Sequence, residues 1–184
     1  MKVKYADFIQ ENFKILDKDT QLPVDFKFNT VQSKYLAMLK EAHPDMEGVR
    51  EIILKARQEG FSSLILALFT VDFLVRPYSI SICISHRKDA TELLFKKVKF
   101  YIESYCNHNN FNKGELLKSD NKGQIENATN GALFYILTSG AKVGGRGGSA
   151  RNIHFSELAW YQDTELITAE EMVTATAQQV PQGR

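Results

Sequence analysis

Leu64 to Leu74 is an almost unbroken apolar run, interrupted by Thr70 and Asp72, and it starts directly behind Gly60-Phe61-Ser62-Ser63. A run of that length reads as a buried helix over 62–74, and it is too short to span a bilayer. In front of it stands Ile52-Ile53-Leu54, which reads as a buried strand over 49–55. Strand, glycine turn, hydroxyl pair and helix together form the layout of a phosphate-binding loop. Backbone N–H groups at a helix start have no intrahelical partner and point outward at an anion. Gly60 permits the close turn that this needs, and Ser62 or Ser63 can offer a hydroxyl to a nucleotide-bound Mg²⁺.

The full stretch is Lys55-Ala56-Arg57-Gln58-Glu59-Gly60-Phe61-Ser62-Ser63. It departs from the ordinary Walker A pattern. Phe61 stands where that pattern has its lysine, and Lys55-Ala56 stand where it has its first glycine. A phenyl ring cannot neutralise a phosphate, so Lys55 and Arg57 are left to supply the charge. A plain strand–turn–helix corner with a solvated Lys and Arg accounts for the same residues equally well.

The chain has 184 residues, 43% hydrophobic and 24% charged, which suits one domain with a sizeable core. A net charge of +1 argues neither for nor against nucleic acid, so any basic surface must be local. Cys83 and Cys106 lie in apolar surroundings. Two isolated thiols make neither a disulfide framework nor a metal site, and they point to a reducing compartment. Lys2, Lys4 and Asp7 at the N-terminus do not read as a secretory leader.

Residues 1–22 have apolar positions spaced loosely for a helix. Pro23 bars helix, and Asn29 or Thr30 can cap a helix running through Lys40, which His43-Pro44-Asp45 breaks. Tyr78 to Ser85 alternates with period two and reads as a strand. From Lys88 to Tyr105, Leu94, Val98 and Ile102 mark the buried face of a helix, with Lys96, Lys97 and Lys99 on a solvated one. Residues 107–124 read as a mobile polar excursion. Strands follow at 125–126, 132–138 and 152–157, with Glu157 at the end of the last. A glycine-rich segment covers 140–151, and a final helix covers 169–179. Strands alternating with helices predict an α/β fold with a mainly parallel central sheet and helices on both faces. Ligands in such folds sit at the carboxyl ends of strands, here Lys55, Ser85-His86 and Glu157.

Three further features accompany the loop. Asn152-Ile153-His154-Phe155-Ser156-Glu157 resembles the strand that in nucleotide-hydrolysing proteins ends in an acidic pair, the first holding Mg²⁺ and the second activating water. Ser156 takes the first place and Glu157 the second. A solvent-facing glutamate at a strand end fits equally. Arg146 lies within Gly144-Gly145-Arg146-Gly147-Gly148, where flexible backbone can deliver a guanidinium to a γ-phosphate or form an RGG-like nucleic-acid contact. Gln32, in Phe28-Asn29-Thr30-Val31-Gln32, carries the donor and acceptor that an adenine edge requires, or is a surface helix residue.

In order and spacing these motifs resemble the N-terminal ATPase domain of the large terminases of tailed phages. The carrying residues are Phe28-Asn29 with Gln32, the Lys55–Ser63 loop, Gly145-Arg146-Gly147-Gly148-Ser149-Ala150-Arg151 and His154-Phe155-Ser156-Glu157-Leu158-Ala159. The match in order and spacing runs across roughly residues 22–181. The resemblance implies a P-loop NTPase fold of the RecA-like kind, with ATP and Mg²⁺ as cofactors. It makes Glu157 the catalytic glutamate and Arg146 the residue delivered to a neighbouring subunit's ATP. Gln32 becomes the adenine reader, and Lys55, Arg57, Gln58, Glu59, Gly60, Phe61, Ser62 and Ser63 the ATP-binding loop. Ser62 would hold the metal, with Ser156 supporting it through water where the family has aspartate. Implied partners are double-stranded DNA, the portal protein, the small terminase subunit and further copies in a ring of five, with no membrane. The isolated chain is expected to be monomeric. The implied location is the host-cell cytoplasm, transiently at the procapsid portal and not in the mature virion. The family's lid and nuclease domain have no counterpart here, so the chain is expected to be one motor domain, truncated at its C-terminus. Two alternatives fit the same residues: a helicase-like nucleic-acid-dependent ATPase, and a nucleotide-binding module that does not hydrolyse.

Overall fold

The computed structural model describes residues 4–56, 58–121, 123–139 and 150–161. The elements, in chain order, are α1 (Tyr5–Asn12), β1 (Lys14–Leu16), β2 (Pro23–Asp25), α2 (Thr30–Ala42), α3 (Phe61–Val75), β3 (Ile80–Ser85) and α4 (Lys88–His108). They continue with α5 (Lys113–Leu116), β4 (Leu117–Asn121), β5 (Gln124–Asn127), β6 (Leu133–Thr138), β7 (Asn152–Ser156) and a 3-10 turn (Leu158–Trp160).

The fold is mixed α/β, built on a five-stranded sheet in the order β4-β5-β6-β3-β7. β3 runs parallel to both β6 and β7, whereas β5 is antiparallel to both β4 and β6. The expectation of a mainly parallel sheet is therefore corrected to a mixed one. The polar segment read as an excursion over 107–124 supplies β4, which returns through a tight turn onto β5. Gly123 has φ +124 at that turn, and so short a connection can only produce antiparallel pairing, since a parallel one needs a long crossover. Asn127 and Asn130 then fasten the β5–β6 connection by donating to the carbonyls of Phe73 and Leu74 at the end of α3.

A second correction concerns the strand expected over 49–55. Residues 51–56 form no strand, and Ile52 and Leu54 are 97% and 101% exposed. Only Ile53 packs against the core. Three apolar residues between Arg50-Glu51 and Lys55 do not hold a ladder unless a neighbouring strand pairs with them.

The apolar run does become a buried helix: Leu64, Leu66, Ala67, Val71 and Phe73 of α3 are fully buried. α1, α3 and α4 join Cys83, Phe134 and Ile136 in the main core. The alternate sheet residues Ile82, Ile84, Ile153 and Phe155 form a smaller cluster with Ala150 and Tyr161. β6 packs on both sides: Phe134 and Ile136 lie in the main core, while Tyr135 and Leu137 pack against the smaller cluster. The break at Asp72 has its own explanation. Its carboxylate accepts from Tyr5 Oη at 2.6 Å and Asn152 Nδ2 at 2.8 Å, and meets Arg76 Nε at 2.7 Å and Arg151 Nε at 3.3 Å. A buried charge is tolerable when so many donors surround it. Burial, then the Asp72 charge, pushes the Tyr5 phenol up to about 12.

No helix among the described residues is long and apolar enough to cross a membrane.

Candidate nucleotide site

Ser85 of β3 is in register with Thr138 of β6 on one side and Ser156 of β7 on the other, so three carboxyl ends finish level. The N-terminus of α3 arrives at that edge. Ser62 Oγ lies 3.5 Å from Ser156 Oγ. The first amides of α3 have no intrahelical acceptor. The first turn of α3 and the end of β7 thus meet, although no strand leads into the loop.

The turn itself is held from two sides. Gln58 and Gly60 both have left-handed backbone, φ +66 and +71. Asn29 caps α2 by accepting from the Gln32 amide, while Gln32 Oε1 accepts from the Asn29 amide. These two residues also reach the loop: Asn29 Nδ2 donates to the Glu59 carbonyl at 3.2 Å and Gln32 Nε2 to the Gly60 carbonyl at 3.0 Å. Gln32 is thus buried, and in this structure both ends of its amide are engaged. A Cβ on residue 60 would stand 2.7 Å from Gln32 Nε2 and push that amide aside, and the left-handed backbone favours glycine there.

Phe61 points inward. It is buried and packs edge-on against Tyr35, with ring centroids 5.2 Å apart. The residue that displaces the usual lysine is therefore an anchor for the start of α3. Cations come from elsewhere. Lys18 Nζ donates to Gln58 Oε1 at 3.1 Å, and Lys97 Nζ, from α4, donates to Ser63 Oγ at 2.9 Å. Desolvation lowers the Lys97 pKa. Lys55 is exposed, and its charge is felt by His154 on β7. That imidazole is held down to about 4, by burial first and by Lys55 second. Its Nε2 is sealed from solvent with no hydrogen-bond partner among the described residues.

Glu157 follows β7 directly, with φ +59 and ψ +46 and its side chain 46% exposed. A left-handed backbone at a non-glycine residue costs roughly 1–2 kcal/mol, and such strain gathers where a side chain has to be aimed. Glu157 Oε2 lies 3.5 Å from His86 Nδ1, at the end of β3. Arg57 and Arg146 lie outside the described residues, as do most of the glycine-rich segment and the helix expected over 169–179.

Ser62 and Ser156 together offer two neutral hydroxyls. That set suits a Mg²⁺ whose ligands are mainly phosphate oxygens and water. Among the described residues no three His, Cys, Asp or Glu side chains gather to form a metal site of their own.

Sequence reasoning missed Lys97, which sits in a lysine run that reads as a solvated face. It also missed His86 as a neighbour of Glu157 and Asp72 as a hub. Each depends on tertiary packing; the one local signal was the isolated acid in an apolar helix. Comparison with known proteins finds no matching family model and no matching curated relative.

Proposed function

We propose that this chain is an ATPase motor domain of the kind found in phage large terminases, hydrolysing ATP to drive double-stranded DNA into a procapsid. One observation carries the reading: the hydroxyl of Ser62 on the first turn of α3 faces Ser156, with Glu157 directly behind it, at the level carboxyl ends of three parallel strands. An anion at the α3 amides would have the Ser62 hydroxyl beside it and Lys97, held on Ser63 Oγ at 2.9 Å, at the same turn.

In this reading the α3 amides and Gly60 turn receive the phosphates. Lys55, Lys97 and Arg57 offset their charge. Ser62, with Ser156 through a water, would hold a Mg²⁺, which would screen the phosphate oxygens. Glu157 orients the attacking water, and Arg146 of a neighbouring copy reaches the γ-phosphate. Gln32 reads adenine only by exchanging one of its present partners, and otherwise fixes the loop. The finer fold assignment, a P-loop NTPase, would need a strand ahead of the loop, and residues 51–56 form none.

The test is ATP turnover by protein assembled with portal and DNA. Glu157→Gln and Arg146→Ala are expected to lose most of the wild-type rate, by a factor of about 10² or more. Wild-type rates in both would overturn the assignment. Ser156, standing where hydrolases carry an acid, favours a second reading as a nucleotide-binding module that does not hydrolyse. Calorimetric titration with a non-hydrolysable ATP analogue, beside a phosphate-release assay, separates the two.

A further inference from the structure

His86 is placed at the site by an element other than those that carry the loop or Glu157. It follows β3, and Glu157 follows β7 one strand away. The His86 side chain is 12% exposed, and Nδ1 is shut off from solvent with no hydrogen bond among the described residues. Glu157 Oε2 lies 3.5 Å from it. A buried ring nitrogen without a partner is uncommon and needs an explanation.

Both backbones are fixed. Ser139 donates its amide to the Ser85 carbonyl at 2.8 Å and its hydroxyl to the His86 carbonyl at 3.3 Å, tying the end of β3 to the end of β6. The Glu157 carbonyl accepts from the Trp160 amide at 2.9 Å, which closes the turn behind it. Only side-chain rotation separates the pair from a hydrogen bond, and contacts of this kind commonly tighten when substrate binds.

We propose that His86, protonated at Nδ1, donates to Glu157 Oε2 and so holds the carboxylate with its other oxygen free to face water. This rests on the ATPase reading above and adds to it a positioning residue, one that acts on the substrate only through Glu157. Asparagine can present an amide donor near the place of Nδ1, whereas alanine cannot.

The test compares wild type, His86→Ala, His86→Asn, Glu157→Gln and the His86→Ala/Glu157→Gln double variant, each assembled with portal and DNA and supplied with saturating Mg·ATP. His86→Ala is expected to lower kcat about tenfold with KM changed less than twofold, the pattern of a misplaced reacting group. His86→Asn is expected to recover most of that loss, and the double variant to be no slower than Glu157→Gln alone. A wild-type kcat in His86→Ala, or an asparagine variant as slow as alanine, overturns the proposal. If Glu157→Gln is inactive while His86→Ala is unaffected, His86 has no role and the motor reading stands. If wild type and Glu157→Gln turn over alike, the ATPase reading falls and takes this role with it. The side-chain ¹⁵N resonance of His86 reports the contact without turnover. It is expected to move on Glu157→Gln, and a resonance that stays put also overturns the proposal.

Discussion

Ser62 Oγ and Ser156 Oγ stand 3.5 Å apart although 94 residues separate them in the chain. If both hydroxyls serve one Mg·ATP, their removal has unequal effects. Ser62→Ala is expected to weaken Mg·ATP binding about tenfold, or roughly 1.4 kcal/mol. Ser156→Ala should cost less, because Ser156 acts through water. Ser156→Asp places a carboxylate beside Ser62 and is expected to steepen the Mg²⁺ dependence of binding. Titration calorimetry at several Mg²⁺ concentrations reads all three, and equal affinities throughout would dissolve the pairing.

Gly60→Ala tests the loop. The new methyl group meets Gln32 Nε2 and the backbone must stay left-handed. The expected loss is about 2–3 kcal/mol, from the conformational penalty and the displaced hydrogen bond. Gln32→Ala should cost about 1 kcal/mol through its capping box. Combined, the two should cost less than their sum, since the alanine at 32 removes the obstacle. Urea unfolding of the three variants gives the comparison.

His154 sets a pH dependence. Folding lowers its pKa from 6.5 to about 4, so as pH falls the unfolded chain takes up the proton first. Its contribution is full above pH 6.5 and lost between there and about 4, on the order of 3 kcal/mol in all. His154→Phe should flatten this part of the profile. Denaturant midpoints of wild type and variant at pH 4.5 and 7.5 check it: a parallel fall in both would show that His154 is not responsible.

Asp72→Ala leaves Glu47 as the remaining carboxylate partner of Arg76 and Arg151, and takes one acceptor from each of Asn152 and Tyr5. A loss of about 3 kcal/mol is expected, as when one partner of a buried pair is deleted. Asp72→Asn, which keeps an acceptor oxygen, should lose less. Thermal unfolding of the two variants decides whether charge or hydrogen bonding dominates.

Much of this was legible from local pattern. A cap at Asn29 or Thr30, the helix behind Gly60, the alternation of β3 and a strand over 152–157, one residue longer than β7, all depend on neighbours in sequence. So does Gly60, whose role follows from the turn it must make. What escaped depends on distant partners. Ile52-Ile53-Leu54 looks like a strand in isolation, but a strand exists only with a ladder to join. β4 was hidden because its residues are polar, and an edge strand needs few apolar ones. Lys97 is indistinguishable from Lys96 until α4 is laid against α3. The engaged amide of Gln32 likewise became visible only when the loop folded over it.

Gln32 fastens the start of α2 to the turn in front of α3 with a single side chain. Two helices that are thirty residues apart by contour are thereby coupled at their tips. Val31 and Met38, on the outside of α2, are exposed. Any displacement of α2 would therefore pass to the Gly60 carbonyl through that one amide.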